Sequence, residues 1–159
     1  MISETSLAPT RDDGLIRQRL RVEAALHHRD IPVHFQAGQL WIPLTEGAMP
    51  IVIQRSASGG FRVEFQLTLG MCEATDGDLQ QFVAAVNADR PTPILEVRED
   101  GAAELFWAGE FAQTVDVEAV VRGVMELAEA STAVATELRE RFFVAPPAVL
   151  TPAEEEGQS

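Results

Sequence analysis

The sequence predicts an α+β domain of two layers, in which helices cover one face of an antiparallel sheet of about six strands. Three observations carry that expectation. Apolar and polar residues alternate in paired stretches, as half-buried strands do, whereas three other stretches keep helical spacing. The order α-β-β-β-β-α-β-β-α leaves each strand beside a partner that a short turn reaches.

The clearest pair lies between Pro93 and Phe111, flanked by two of the helices. A two-residue turn at Asp100-Gly101 would set Val97 opposite Glu104 and Glu96 opposite Leu105, mixing apolar and charged side chains on both faces. A three-residue loop of Glu99, Asp100 and Gly101, with Gly101 left-handed, pairs Arg98 with Ala102, Val97 with Ala103 and Leu95 with Leu105. One face then carries Leu95, Val97, Ala103, Leu105 and Trp107. The other carries Ile94, Glu96, Arg98, Glu104 and Phe106.

In chain order, residues 1 to about 10 mix Ser, Thr and Pro and are expected to fray. Asp12-Asp13 put negative charge where a helix N-terminus favours it. Leu15, Ile16, Leu20, Ala24 and Leu26 give the first helix its apolar face, and it ends near Arg29-Asp30, ahead of Pro32. Val33 and Phe35, then Leu40, Ile42 and Leu44, form a hairpin about Ala37-Gly38; Pro43 makes that strand an edge or ends it. Thr45 to Pro50 reads as a loop. Ile51 and Ile53 then pair with Phe65 and Val63 across a three-residue loop of Ala57, Ser58 and Gly59, the solution used by the other hairpin.

Thr75 reads as an N-cap with Asp78 three residues on, followed by Leu79, Phe82, Val83 and Val86 at i, i+3, i+4 and i+7. Pro91 and Pro93 stop this helix. Thr114 or Asp116 caps the last one, in which Val117, Val120, Val124, Leu127, Val134 and Leu138 keep heptad spacing. Running from 116 to 142 it would measure about 40 Å, more than one small sheet needs. Val121, Met125 and Ala128 widen its face and are the expected homodimer interface. Val144 to Ser159, with Pro146, Pro147, Pro152 and Glu154 to Glu156, reads as a disordered acidic tail, leaving 11–143 as the domain.

Composition sets the class of partner. With 159 residues, 46% of them hydrophobic, the chain is long enough to bury a core without a disulfide or a metal. Twenty-five acidic against 12 basic residues leave a charge of −13, which repels nucleic acid and anionic membranes. No basic, then apolar, leader opens the sequence and no apolar run approaches a membrane span, so a cytoplasmic protein is expected. A lone cysteine, Cys72, fits a reducing compartment.

The helix from 75 to 88 ending in Val86-Asn87-Ala88-Asp89, the short hairpin turning at Asp100-Gly101, and Val115-Asp116-Val117-Glu118 opening a long helix with Val120, Val121 and Val124 resemble the YbjN family of bacterial sensory-transduction regulators. The resemblance covers residues 12 to 143 and is strongest from Asp78 to Leu138. It implies the type III secretion chaperone-like fold and a small acidic cytoplasmic protein, often dimeric, that acts by binding other proteins. It carries no catalytic signature.

Candidate chemistry is sparse. His27, His28 and His34, with Cys72, are the one conceivable metal cluster, but adjacent helical histidines diverge by about 100° and the dipole explains them more simply. Glu96 and Glu104 face each other and offer a carboxylate pair for a small acid-base enzyme; a solvated sheet face beside Arg98 is the simpler reading. Cys72 sits in an acidic neighbourhood and is expected to be inert. The more informative oddity is apolar. Trp41, Val52, Ile94 and Phe106 fall on otherwise polar faces and would form a patch if strand order brought them together. The expected function is therefore non-enzymatic and chaperone-like or regulatory, without cofactor, with a basic protein or peptide client docking on Trp41, Ile94 and Phe106.

Overall fold

A computed structural model describes residues 11–44, 47–73 and 77–145. Helix α1 (Asp13–His28) is followed by strands β1 (His34–Gln36), β2 (Gln39–Leu44), β3 (Gly47–Arg55) and β4 (Phe61–Cys72). Then come α2 (Gly77–Asp89), β5 (Ile94–Val97), β6 (Ala102–Phe111), α3 (Val117–Arg141) and β7 (Phe143–Ala145). The sheet is antiparallel throughout, in the order β1-β2-β3-β4-β6-β5, with β7 paired to β4. The expected element order holds, with one short strand added.

Both long hairpins have the expected registers. Ile51 pairs with Phe65 and Ile53 with Val63; Leu95 pairs with Leu105 and Val97 with Ala103. Their loops close alike. Ser56 N–H donates to Gly60 O and Gly59 N–H to Ser56 O, just as Arg98 N–H donates to Ala102 O and Gly101 N–H to Arg98 O. Gly101 has φ +97°, and a side chain there would also press within 2.8 Å of the Cys72 carbonyl.

The helices share one face of the sheet. Val22, Leu26, Leu79, Phe82, Val120, Val124, Leu127, Val134 and Leu138 meet Leu40, Ile42, Met49, Ile51, Val63, Phe65, Leu95 and Leu105 in a single core. Trp107 stacks on Phe65 at 4.7 Å and lies directly under Gly123 of α3. Asp116, rather than Thr114, caps α3 by accepting from Glu118 and Ala119 N–H.

Four expectations need correction. The buried stripe of α1 is Gln18, Val22 and Leu26, whereas Leu20 is 59% exposed and Ala24 exposed. Gln18 is the reason: its Oε1 accepts from Arg21 Nη1 and from the N–H of Val115, so a polar residue occupies a core position with its bonds made. Gly47 to Pro50 is strand and not loop, since Leu44 pairs with Gly47 and Met49 is fully buried. Strand β7 carries the chain to Ala145, past the boundary expected at 143, because Phe143 and Ala145 find open backbone at Cys72 and Met71. Lastly, Val121 is 1% exposed and belongs to the core. Thr75, residues 1–10, where fraying is expected, and residues 146–159 of the expected tail lie outside the described residues.

At its start, α1 is tied to the sheet. Asp12 caps the helix by accepting from Leu15 N–H, and both its oxygens accept from Arg55 at 2.8 and 3.0 Å. The Arg55 bonds first, and the Leu15 N–H after them, pull the Asp12 carboxyl down to about 2.

Candidate functional site

The face turned away from the helices carries one row of side chains across the strands. Its registers chain together: His34 lies opposite Trp41, Trp41 opposite Pro50, Gln66 opposite Phe106, and Phe106 opposite Ile94. Pro50 precedes Ile51, the partner of Phe65, so it stands level with Gln66. Trp41, Ile94 and Phe106 therefore share a face and a level. They do not all touch. Phe106 and Ile94 are cross-strand neighbours, but three inter-strand steps of about 4.8 Å separate Trp41 from Phe106, with Pro50 and Gln66 between.

Ile94 is 42% exposed, and Trp41, Pro50, Val52 and Phe106 are half-buried. Trp41 is oriented by its indole N–H, which donates to Gln36 O at 3.2 Å. Pro50, Val52, Glu64, Gln66 and Thr68 line a shallow depression of about 230 Å³ in the middle of the row. Pro50 is the member that sequence reasoning missed. Its alternation with Met49 and Ile51 was the available signal, masked by proline's turn preference.

Charge surrounds the row unevenly. This face holds Glu64, Glu96, Glu104 and Glu110 against Arg62 and Arg98. Arg62 is bound by Glu64 and Glu110, each at 2.7 Å, which raises its guanidinium pKa. Glu96 and Glu104 do lie opposite each other, but they are not equally solvated. Glu104 is 7% exposed and accepts from Arg98 Nη1 at 3.3 Å and Thr68 Oγ1 at 3.4 Å, while Glu96 is exposed. The solvated pair expected from the alternation is thus half buried, because β6 is an inner strand. Neither glutamate lines the depression.

Other candidates lie apart. His27 and His28 are exposed at the end of α1, His34 is exposed on β1, and Cys72 is buried on β4. Burial pushes the Cys72 thiol pKa up. Among the described residues no three metal-ligating side chains gather, and no helix is long and apolar enough to cross a membrane.

On the outer side of α3, Met125 is 48% exposed and Ala128 half-buried. Met125 lines a groove of about 490 Å³ with Arg29, Glu118, Arg122, Glu126 and Glu129. At the sheet's end, Asn87 of α2 treats β5 as a strand would: Nδ2 donates to Leu95 O at 3.0 Å, and Oδ1 accepts from Leu95 N–H at 2.8 Å.

Comparison with solved structures shows the fold. A chain of the HopA1–SchA chaperone–effector complex matches with a TM-score of 0.52 and 13% identity, over 79% of this chain and 97% of that one. YbjN, a candidate transcription regulator from E. coli, matches with a TM-score of 0.52 and 15% identity, over 79% of this chain and 94% of that one. No family model matches the sequence, and no curated protein does. At these identities the likeness is one of fold: the chain shares the α+β architecture of both neighbours.

Proposed function

We propose that this chain is a non-enzymatic, cytoplasmic binding protein, chaperone-like or regulatory, that holds a basic amphipathic segment of another protein across the helix-free face of its sheet. The observation that carries this reading is the row of Trp41, Pro50, Phe106 and Ile94, an apolar track on a face where four glutamates outnumber two arginines. Aromatic residues at the centre of a polar rim are the usual composition of a binding hot spot, and the acidic excess favours a cationic client. A chaperone–effector complex among the fold neighbours supports it. Homodimerisation through the outer side of α3, at Met125 and Ala128, belongs to the same reading. The acid-base alternative is weaker, because Glu104 is already engaged by Arg98 and Thr68.

The test is Phe106→Ala beside Ile94→Ser, with partner yield in a pull-down measured alongside circular dichroism and sedimentation. Loss of one aromatic anchor costs about 2 kcal/mol, roughly 30-fold in affinity. The reading holds if captured partner falls by that order, more so in raised salt, while fold and oligomeric state persist. Unchanged yield in both variants refutes it; unfolding or dissociation would assign these residues to the structure alone.

A further inference from the structure

Charge on the outer side of α3 is arranged so that only one orientation of a second copy satisfies it. Exposed positions recur four and three residues apart, at Glu118, Arg122, Met125, Glu129 and Thr132, so one stripe of the helix faces away from the core. At about 100° per residue, Arg122, Glu126 and Glu129 all fall to one side of Met125, by about 60°, 100° and 40°, while Ala128 falls about 60° to the other. The groove of about 490 Å³ agrees, since Met125 shares it with Arg122, Glu126 and Glu129 and not with Ala128. The stripe therefore has a charged flank and a plain one.

The charged flank is incompletely paired. Glu118 accepts from Arg29 Nη1 at 3.1 Å, Glu126 accepts from Thr92 Oγ1 at 3.3 Å, and Glu129 lies 3.6 Å from Arg90 Nη1. Arg122 is exposed, and among the described residues no carboxylate comes within ion-pair distance of it.

Two orientations of a second α3 differ in what they offer Arg122. Laid parallel about a two-fold axis, the charged flank of each helix meets the Ala128 flank of the other, and Arg122 gains no carboxylate. Laid antiparallel about an axis level with Met125, like flanks meet. Height along the helix then decides the pairing. At about 1.5 Å per residue, Arg122 stands about 4.5 Å to one side of the axis, and Glu126 and Glu129 of the second copy stand about 1.5 and 6 Å to that same side. Arg122 comes between two carboxylates, and symmetry repeats the arrangement.

Resting on the reading of this surface as the dimer interface, we propose that two copies join through antiparallel α3 helices that cross at Met125, with Arg122 of each between Glu126 and Glu129 of the other. The two Met125 side chains supply the apolar contact at the axis, and on the plain flank the small Ala128 side chains let the helices approach. Exposed ion pairs add little affinity, so the charges set direction and register. The helix-free faces of the two sheets then point away from each other, and the dimer presents the row of Trp41, Phe106 and Ile94 twice, on opposite sides.

Sedimentation of the full chain tests this with two charge-reversed proteins, Arg122→Glu and the double variant Glu126→Arg/Glu129→Arg, each alone and as an equimolar mixture. Alone, each sets like charges against each other across the axis and should dimerise about ten-fold more weakly than wild type, with unchanged circular dichroism. The mixture restores every opposite pair and should form a heterodimer as tight as the wild-type dimer. A mixture no tighter than its components overturns the proposal, and so does an Arg122→Glu dimer as strong as wild type. Met125→Asp tells that failure from failure of the dimer reading. If Met125→Asp dissociates while Arg122→Glu does not, α3 is the interface in another orientation; a wild type that is monomeric at high micromolar concentration removes both.

Discussion

Gly123→Ala separates the close contact between α3 and Trp107 from an ordinary helix position by the sign of its effect. On a free helix surface the change stabilises by about 1 kcal/mol, because glycine has more backbone entropy to lose. Here a Cβ would stand 2.6 Å from Trp107 Cε2, 2.7 Å from Nε1 and 3.0 Å from Cδ2. Carbon atoms rest at about 3.5 to 4.0 Å, so about 1 Å of space has to be made. The indole does not retreat freely, since Phe65 stacks against it at 4.7 Å and 9°. Overpacking of this kind costs about 1 to 3 kcal/mol. Set against the propensity gain, the expected net loss is about 1 kcal/mol, or about 2 to 4 °C in Tm for a chain of this size. Urea titration followed by tryptophan fluorescence, with thermal circular dichroism, reads it. Trp107→Phe in the same chain should remove most of the penalty of the alanine. A Gly123→Ala variant more stable than wild type would refute the packing argument.

Asp12 sets an acid limb to stability. Its folded pKa, about 2 against an ordinary 3.8, means that its contribution is complete above the unfolded value and is lost as pH falls from near 4 toward 2. Wild type should therefore lose Tm over that window faster than Asp12→Asn; parallel curves would show that the Arg55 pair does not couple to folding. Asn87→Ala removes both bonds to Leu95 and should cost about 1 to 3 kcal/mol, with faster exchange at the Leu95 amide; an unchanged urea midpoint would contradict this. Met125→Asp should dissociate a dimer and leave the fold intact, whereas Leu127→Asp, at a fully buried position, should unfold the chain. Sedimentation of wild type as a monomer at high micromolar concentration would remove the dimer.

Where local chemistry decides, the sequence is legible. At Gly101 the alternation on either side rejects the competing register, and the same three-residue loop at Gly59 gives the pairing of the other hairpin, so both registers are readable from the local order of residues. Failure comes where a residue type argues against its own position. Gln18 conceals the stripe of α1, because no local rule says that Val115 will come back to bond it. Gly47 and Pro50 suggest a loop, yet Met49 between them is core. For the candidate site, register turns Trp41, Ile94 and Phe106 outward, but their common level depends on the order β2-β3-β4-β6-β5, which only the three-dimensional pairing of distant strands determines. Val121 was misplaced because α3 lies on a sheet broad enough to bury neighbouring positions 120 and 121 together, which a single heptad seam does not describe.

The Asn87 amide has a consequence for how large an assembly of these chains can grow. Sheets that add edge to edge need two free rims on every molecule; with both, association continues without closure and ends in fibres. Here the outward N–H and C=O of Leu95 already belong to a side chain of the same molecule, so the β5 rim offers an incoming strand little to bond. The β1 rim, three exposed residues long, is the other end of the sheet. Were such chains to add through a sheet edge, β1 is the rim more open to it among the described residues, and a β1-to-β1 contact would use up that rim in both partners.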